Sequence, residues 1–408
     1  MKCGLLGRKL GHSYSPQIHA MMGNYSYDLF EKEPEEVGEF VLHGDYDAMN
    51  VTIPYKKDVI PYLDEIDEIA RRLGSINTIV RRPDGKLEGH NTDYYGFHSM
   101  VLRSGIAVAG KKVLVLGTGG ASVTAQAVLA DLGAHVVVIS RSGENHYGNL
   151  NRHYDASVIV NTTPVGMYPN TGVAALDVSL FPELEGVLDV VYNPSRTQIL
   201  LDAETLNLPT ENGLWMLVAQ AKLASEFFTG GKLDDSVIAD IHHKLKNQME
   251  NIVLIGMPGC GKSAIGRELA QRTVKTFRDS DKEIIDLAGM PIPEIFAKDG
   301  ETVFRDYETK ALIGLGKQSG LVIATGGGCV TQLRNHPFLH QNGTIVWIHR
   351  NIEALPTNGR PLSQSQDLNE MYRLRKPLYE AFSDIVIDND STIEEAAEKI
   401  IAALEERK

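Results

Sequence analysis

Two glycine-rich loops restrict the fold of this sequence more than any other feature. The first begins at Gly117, directly after the apolar run 112–116, and the second begins at Gly256, directly after the apolar run 251–255. Each loop precedes a helical run, and apolar strands that alternate with helices are typical of parallel sheets covered on both faces. One doubly wound sheet rarely holds two such loops. The sequence therefore predicts an α/β protein with two separate phosphate-binding domains.

Composition narrows the possible partners. The chain has 408 residues, enough for two or three domains, and its 40 Lys and Arg against 53 Asp and Glu give a net charge of −13. An acidic chain lacks the basic face that a general nucleic-acid binder needs. Its three cysteines lie far apart, without the spacing of a zinc cluster or a disulfide framework. We expect small-molecule substrates and no nucleic acid as partner.

The sequence also predicts a cytoplasmic protein. No apolar run approaches the ~18–20 residues that span a bilayer. The first residues include Arg8 and Lys9 and lack the apolar stretch of a secretory signal. We therefore expect no membrane as partner, and the sequence leaves the oligomeric state open.

The first loop has the features of a dinucleotide site. Glycines let backbone amides approach a pyrophosphate, and the N-terminus of the following helix favours its charge; the candidates are Gly117, Gly119, Gly120 and Ala121. Ser122 stands where the dinucleotide fingerprint has its third glycine, so a purely structural turn is the alternative.

The end of the next strand indicates which dinucleotide binds. An NAD site has Asp or Glu at this point, whereas this sequence has Ser140 and Arg141. A carboxylate would repel a 2′-phosphate and an arginine attracts it. The sequence therefore favours NADP, against the alternative of a solvated loop arginine.

The N-terminal third carries the candidate substrate groups. Ser13 and Ser15 place two hydroxyls at one turn, which suits a carboxylate, and Lys56 follows an extended segment. Asn77 and Asp93 add an amide and a carboxylate. Taken singly, each has an ordinary structural explanation as part of a turn, an exposed lysine or a helix cap.

Eight ordered blocks give this part of the chain a specific resemblance. They read GHSYSP, NVTIPYKK, INT, NTDYYGF, GTGGAS, NTTPVGM, DVVYNP and GLWMLVAQA. Together they resemble the shikimate dehydrogenase family over about residues 1–245. The resemblance implies a substrate domain made of residues 1–98 with 213–247, and a Rossmann NADP domain made of residues 99–212.

The same resemblance implies roles for individual residues. Ser13 and Ser15 would bind the substrate carboxylate, Lys56 and Asp93 would be catalytic, and the ring hydroxyls would be bound by Thr52, Asn77, Asp93 and Gln220. Hydride would pass from NADPH to the carbonyl of 3-dehydroshikimate, while a lysine beside a carboxylate holds the oxygen and supplies its proton. Two departures concern the cofactor: no second arginine follows Arg141 closely, and residues 143–155 are short for the usual helix and strand.

The second loop, residues 256–263, fits the pattern G-x-x-x-x-G-K-[ST] between a strand and a helix. In this pattern the backbone amides cradle the phosphates of ATP, the lysine reaches the β- and γ-oxygens and the hydroxyl ligates Mg²⁺. The residues concerned are Gly256, Gly259, Gly261, Lys262 and Ser263.

Further chemistry-bearing residues follow this loop: Asp279, Asp281, Arg305, Gly327, Arg360 and Arg375. The two aspartates are expected in an extended segment, which would put both carboxylates on one face. Arg305 is expected in a helix that begins at Gly300. A helix cap at Asp281 and a surface cation at Arg375 are the alternatives.

In order, these blocks resemble shikimate kinase from about residue 250 onwards, which implies a P-loop NTPase domain of the nucleoside-monophosphate-kinase type in residues 248–408. By this resemblance Asp281 would accept the proton of the 3-hydroxyl, Asp279 would lie near the Mg²⁺ shell, and shikimate would be bound by Asp281, Arg305, Gly327 and Arg375. Arg360 would close from a lid onto the transferring phosphoryl group. The lid itself is shortened, without a counterpart of the arginine that often packs against adenine.

The two halves together predict consecutive reactions of aromatic amino-acid biosynthesis. The first would reduce 3-dehydroshikimate to shikimate with NADPH, and the second would phosphorylate shikimate with ATP and Mg²⁺. Two alternatives stay open: a first half that acts on quinate, and a ligand-sensing regulator built from degenerate domains. The residues that such degeneration should remove are all present, namely Lys56, Asp93, Lys262, Ser263 and Asp281.

Overall fold

Three β-sheets organise the residues that this computed structural model describes, which are 1–11, 13–354 and 368–407. The chain divides into two compact units. The first contains Met1–Gly166, Val173–Tyr192 and Ile199–Leu245, and the second contains Met167–Gly172, Asn193–Gln198 and Lys246–Lys408. The boundary after Leu245 falls inside a helix, Ser236–Met249, rather than in a loop.

The first sheet of the first unit is mixed, with the strand order β2-β1-β3-β5-β6-β4. Its strands are β1 Lys2–Gly7, β2 Ser26–Glu31, β3 Ala48–Val51, β4 Glu65–Ile66, β5 Thr78–Arg81 and β6 Leu87–His90. The accompanying helices are α1 Ser15–Ala20, α2 Val37–His43, α3 Glu68–Leu73 and α4 Asp93–Ser104. β1 and β3 are parallel, and β5 is antiparallel to both β3 and β6. The residues that follow β1, β3 and β6, and those that precede β5, therefore meet at one edge of this sheet.

The second sheet is parallel, with the order β11-β10-β9-β7-β8. Its strands are β7 Lys112–Leu116, β8 His135–Ile139, β9 Val158–Asn161, β10 Gly186–Asp189 and β11 Thr210–Glu211, and its helices are α5 Gly120–Asp131 and α6 Gln198–Thr205. The central strands β7, β9 and β10 are almost wholly buried, as expected for a sheet covered on both faces. The short region 143–155 contains a 3₁₀ helix, Tyr147–His153, after β8.

The chain then returns to the first sheet through α7 Leu214–Thr229, and α8 Ser236–Met249 follows. Helix α7 packs closely along α4, and Gly96 permits this approach. A Cβ atom at Gly96 would lie only 2.7 Å from the carbonyl oxygen of Met216 and 2.9 Å from the Cβ of Gln220. The close packing brings Gln220, which is distant in sequence, beside the beginning of α4.

The sheet of the second unit is parallel, with the order β13-β14-β12-β15-β16. Its strands are β12 Asn251–Ile255, β13 Thr276–Asp279, β14 Leu321–Ala324, β15 Gly343–His349 and β16 Ile385–Asp388. Its helices are α9 Lys262–Arg272, α10 Ser280–Ala288, α11 Ile292–Gly316, α12 Asn335–His340, α13 Leu368–Phe382 and α14 Ile393–Glu406. The carboxyl ends of all five strands lie at one edge, where parallel sheets of this kind bind ligands.

One local prediction in this unit needs correction, and another is confirmed. The segment Asp279–Asp281 is not extended: β13 ends at Asp279, which caps α10 by accepting a hydrogen bond from the backbone of Asp281. Serine and aspartate at this point favour a cap over a continued strand. The predicted helix start at Gly300 is confirmed, because α11 consists of two helical segments that meet at a kink at Gly300, with φ 80° and ψ 176°; the first of them begins at Ile292 and was not predicted.

Within the described residues, no helix has the length and the apolar character to cross a bilayer.

Candidate active sites

A lysine–carboxylate pair lies at the edge where β3 and β6 of the first unit end. Lys56 follows β3 and Asp93 is the first residue of α4, and the lysine Nζ is 2.5 Å from the Asp93 Oδ2. The two side chains keep 23% and 15% of their surface exposed, so a ligand can reach them. The backbone amide of Ile76 donates to the Lys56 carbonyl at 2.8 Å and ties the lysine loop to the residues before β5.

An amide and hydroxyl cluster adjoins this pair. The Asn77 Oδ1 accepts from the Thr92 amide at 2.7 Å, and the Asn77 Nδ2 donates to the Thr92 Oγ1 at 2.9 Å. The Thr92 Oγ1 in turn donates to the Gln220 Oε1 at 3.2 Å. The structure thus brings together Asn77, Asp93 and Gln220, as the sequence predicts, and adds Thr92. The motif NTD contains Thr92, but only the position of α7 shows what its hydroxyl contacts.

The two candidate serines follow β1, at the same edge. The backbone amide of Ser15 donates to the Ser13 Oγ at 3.2 Å, at the start of α1. The hydroxyl of Tyr27 shares a hydrogen bond with Ser15 and donates to the Asn50 Oδ1 at 2.8 Å, and burial raises the pKa of Tyr27 well above its ordinary value. Asn50 then donates to the Asn77 carbonyl at 3.2 Å. A buried polar network therefore connects the serine turn to the amide cluster.

Thr52 directly follows β3 and lies between that strand and Lys56. Its backbone amide donates to the Leu6 carbonyl at 2.9 Å, which fixes it beside the end of β1. Thr52 is therefore at the same sheet edge as the lysine and the serines.

The first glycine loop has room and donors for a pyrophosphate. Gly117 has a φ of 106°, a conformation that suits glycine, and a Cβ added at Gly119 or Gly120 would meet no atom within 4 Å. Helix α5 begins here without a side-chain cap, which leaves its first amides to a ligand. Ser122 is fully buried and donates to the Gly117 carbonyl at 2.7 Å, so the serine stabilises the loop in place of the expected third glycine.

The loop after β8 presents Arg141 to solvent. The Ser140 amide donates to the Asn145 carbonyl at 3.2 Å, and the Ser140 hydroxyl donates to the Ser142 carbonyl. The His153 Nε2 of the 3₁₀ helix contacts the Asn145 Oδ1 at 2.9 Å, which ties the loop to that helix. The carboxyl ends of β7 and β8 are adjacent, so Arg141 lies at the sheet edge that also carries Gly117. A cation at this place can pair with the 2′-phosphate of a dinucleotide.

In the second unit the phosphate loop follows β12. Gly256, Gly259 and Gly261 all have positive φ, and a Cβ at Gly256 would lie 2.5 Å from the Ile348 carbonyl oxygen. Lys262 begins α9, and its buried Nζ donates to the carbonyls of Gly256 at 2.9 Å and Met257 at 3.0 Å. The loop thus holds the lysine where nucleotide phosphates can take over these hydrogen bonds.

A hydroxyl and a carboxylate beside this loop fit Mg²⁺. The Ser263 Oγ donates to the Asp279 Oδ2 at 2.9 Å, and hard oxygen ligands of this kind suit the ion. Among the described residues, no group of three or more His, Cys, Asp or Glu side chains could hold a metal alone. Ser263 and Asp279 would therefore hold Mg²⁺ together with nucleotide phosphates and water, as is usual for this ion.

A single cavity of about 550 Å³ joins the phosphate loop to the other kinase candidates. Its lining includes Lys262, Ser263, Asp279, Asp281, Arg305, Gly327 and Arg375, with an apolar wall of Ile292, Pro293, Phe296 and Phe304. The Arg375 Nη1 donates to the Gly327 carbonyl at 3.2 Å, and the buried Tyr379 hydroxyl donates to the same oxygen at 2.5 Å. Arg375 is thus directed into the cavity rather than into open solvent. Arg360 lies outside the described residues.

Two glutamates missed by the sequence analysis surround Arg305. The Arg305 Nη1 contacts the Glu308 Oε2 at 2.8 Å, and the Nη2 contacts the Glu301 Oε1 at 3.0 Å. Burial raises the pKa of Glu308, although the Arg305 charge opposes the shift. The spacing of three and four residues from Arg305 on one helix was the available signal for both.

The comparisons with known proteins agree with this architecture. The family model described as shikimate dehydrogenase substrate binding domain matches residues 5–79, and the model described as shikimate kinase matches residues 258–405. Shikimate dehydrogenase (NADP(+)) of Clostridium perfringens is 38% identical over 265 residues, which cover 60% of this chain and 97% of that protein.

Solved structures are similar over the same part of the chain. A chorismate mutase/shikimate 5-dehydrogenase fusion protein from Clostridium acetobutylicum has a TM-score of 0.57 at 33% identity, covering 60% of this chain and 97% of that one. Quinate dehydrogenase from Corynebacterium glutamicum in complex with NAD has a TM-score of 0.54 at 27% identity, covering 60% of this chain and 98% of that one. The chain belongs to the shikimate dehydrogenase family and carries a shikimate kinase domain after it, which makes it an enzyme with two activities, an NADP-dependent dehydrogenase and an ATP-dependent kinase.

Proposed function

We propose that the first unit reduces 3-dehydroshikimate to shikimate with NADPH, and that the second unit phosphorylates the shikimate to shikimate 3-phosphate with ATP and Mg²⁺. The observation that carries this proposal is the pairing of Lys56 with Asp93 beside a cluster of hydroxyl-binding groups, in a chain whose second unit has one cavity for a nucleotide and a carboxylate. The product of the first reaction is then the substrate of the second. We expect a cytoplasmic enzyme with small molecules as substrates.

In the proposed reduction, each group acts on a defined part of the substrate. Lys56 holds the carbonyl oxygen and supplies its proton as charge develops, and Asp93 keeps the lysine in position. Ser13 and Ser15 bind the carboxylate, and ring hydroxyls are bound by Thr52, Asn77, Asp93 and Gln220. NADPH, when bound, supplies the hydride; the residues that hold it are Gly117, Gly119, Gly120, Ala121, Ser140 and Arg141.

In the proposed phosphorylation, positioning and charge neutralisation dominate over base strength. Asp281 accepts the proton of the attacking hydroxyl, and Arg305 and Arg375 bind the carboxylate beside Gly327. The phosphates are bound by Gly256, Gly259, Gly261, Lys262 and Ser263, with Asp279 at the Mg²⁺ and Arg360 closing on the transferring group.

We also propose a three-domain organisation. The substrate domain is residues 1–98 with 213–247, the NADP domain is residues 99–212, and the kinase domain is residues 248–408. The first and second sheets each pack two buried apolar clusters, and the third sheet packs a separate core, which supports this division.

A coupled assay on the full chain tests the function. We expect 3-dehydroshikimate to oxidise NADPH without ATP, and shikimate 3-phosphate to form only when ATP and Mg²⁺ are added. Lys56→Met should lower the first activity by about 10³-fold and spare the phosphorylation of added shikimate, whereas Lys262→Met should impair the phosphorylation and spare the reduction. Loss of neither activity in these variants would contradict the assignment of the sites, and a wild-type chain without either activity would support the regulator instead.

Quinate is the second candidate substrate, because the chain is similar to a quinate dehydrogenase solved with NAD. Steady-state rates with shikimate and quinate, each with NADP and NAD, separate the two. We expect the highest kcat/KM for shikimate with NADP, and a replacement of Arg141 by Asp to shift the cofactor preference towards NAD.

A further inference from the structure

The guanidinium of Arg305 is surrounded on all its edges. Its Nε and Nη2 contact the Glu301 Oε1 at 3.3 and 3.0 Å, and its Nη1 contacts the Glu308 Oε2 at 2.8 Å. A Cβ atom added at Gly328 would lie 2.5 Å from both Nη1 and Nη2, so the Gly328 backbone covers the edge between them. A carboxylate that binds Arg305 through two nitrogens must therefore replace a group already present.

The two glutamates differ in how easily they can be replaced. The Glu308 side chain is 1% exposed and its removal from Arg305 would leave an unpaired buried charge, which is strongly unfavourable. The Glu301 side chain is 61% exposed and would return to water. Glu301 also follows Gly300 directly, where the backbone of α11 leaves the helical region. The contact with Glu301 is therefore the exchangeable one.

Charge favours the same exchange. The part of the cavity around Arg305 combines the cations Arg305 and Arg375 with the carboxylates Glu301, Glu308 and Asp281. A substrate carboxylate that arrived while Glu301 stayed would add a fourth negative group to two positive ones. Departure of Glu301 keeps the number of carboxylates around the arginines unchanged.

We propose that Glu301 is a built-in competitor for the substrate carboxylate: it holds Arg305 while the acceptor site is empty, and binding exchanges it for the carboxylate of the substrate. This inference rests on the proposed kinase function, which places a carboxylate on Arg305. One consequence is that part of the binding energy of every carboxylate ligand is spent on displacing Glu301.

The test uses Glu301→Gln in the full chain, with Glu294→Gln as the matched control. Glu294 is an exposed glutamate on the first segment of α11, before the kink at Gly300 and outside the cavity lining. Two quantities are measured in both variants and the wild type: the KM for shikimate, and the inhibition constant of benzoate, a ring carboxylate without hydroxyls. An exposed ion pair is worth up to about 1 kcal/mol, so we expect Glu301→Gln to lower both constants by the same factor, about two- to five-fold. The KM for ATP of Glu301→Gln should equal the wild-type value. All constants of the Glu294→Gln control should also equal those of the wild type.

An unchanged or raised KM for shikimate in Glu301→Gln would overturn the inference, because Glu301 would then orient Arg305 rather than compete for it. Direct binding of benzoate, followed by calorimetry, separates this failure from a failure of the proposed function. If the chain does not phosphorylate shikimate, the proposed function fails, and tighter benzoate binding in Glu301→Gln still supports the competition. Equal benzoate binding in the two proteins would contradict it.

Discussion

Replacement of Lys56 by methionine removes the ammonium group that we propose to hold the substrate carbonyl and to supply its proton. Methionine keeps the unbranched shape of the side chain and loses the ammonium. The Asp93 carboxylate, now without its partner at 2.5 Å, is only 15% exposed and lies beside the reacting oxygen in the proposed binding mode. The variant therefore loses a stabilising cation and retains an opposing anion.

The expected fall in kcat follows from the lost cation and the retained carboxylate. A positioned proton donor contributes about 10²–10⁴-fold to a rate, and an unpaired, partly buried carboxylate costs about 1–3 kcal/mol. We expect kcat to fall by about 10³-fold or more, in line with the general acid contribution. The KM for 3-dehydroshikimate should change far less, because the groups proposed to bind the ring hydroxyls, Asn77 and Gln220, and the serine turn proposed to bind the carboxylate are unchanged.

The assay is the initial rate of NADPH oxidation at saturating 3-dehydroshikimate. Lys57→Met is the matched control, since Lys57 is the adjacent lysine and is exposed. Phosphorylation of added shikimate by the same preparation reports that the variant chain is folded. A kcat within tenfold of the wild-type value would refute the reasoning, whatever the KM.

Three further changes test the stability of the first unit and of the kinase. Burial lowers the pKa of His19 from 6.5 to about 3, so between these pH values the unfolded chain takes up a proton and the folded chain does not. The free energy of unfolding should therefore fall as the pH is lowered from 6.5 towards 3, by up to about 1.4 kcal/mol per pH unit. In urea titrations, His19→Asn should show a shallower pH dependence than the wild type. Val274 is 94% exposed and has a φ of 54°, a left-handed conformation that strains a β-branched residue. Val274→Gly relieves this strain and should raise the free energy of unfolding of the kinase by about 1 kcal/mol in the same titration. A lower free energy of unfolding in this variant would contradict the strain. Asp131→Asn removes the exposed ion pair with Arg72 at 2.6 Å, which joins α5 to α3, and should cost less than about 1 kcal/mol, a difference that disappears at about 1 M salt.

Much of the architecture could be predicted from local patterns. The glycine loops and apolar runs indicate parallel strands, because the steric freedom of glycine and the burial of both sheet faces are properties of neighbouring residues. The alternation of strands and helices likewise predicts the α/β class, and the family comparisons confirm the two resemblances on which the substrate identity depends.

Local sequence patterns could not predict the contacts between residues that are far apart in the sequence. Thr92 meets Gln220 only because α7 returns along α4, and this depends on a close approach at Gly96. The extended segment predicted at Asp279 was wrong, because a capping aspartate and a strand residue look alike until the following helix is placed. The positions of Glu301 and Glu308 around Arg305 follow from helical spacing, but their unequal burial does not.

The return of α7 to the first sheet also has a consequence for how the protein is made. The lysine, the aspartate and the serines of the dehydrogenase are synthesised early, but Gln220 and the packing surface of α7 follow more than a hundred residues later. The reductase site cannot be complete until that helix has left the ribosome, whereas the five strands of the kinase come from one continuous stretch, residues 251–388. Since domains generally fold as units in the order of synthesis, the nascent chain must keep an open substrate sheet from aggregating until α7 covers it.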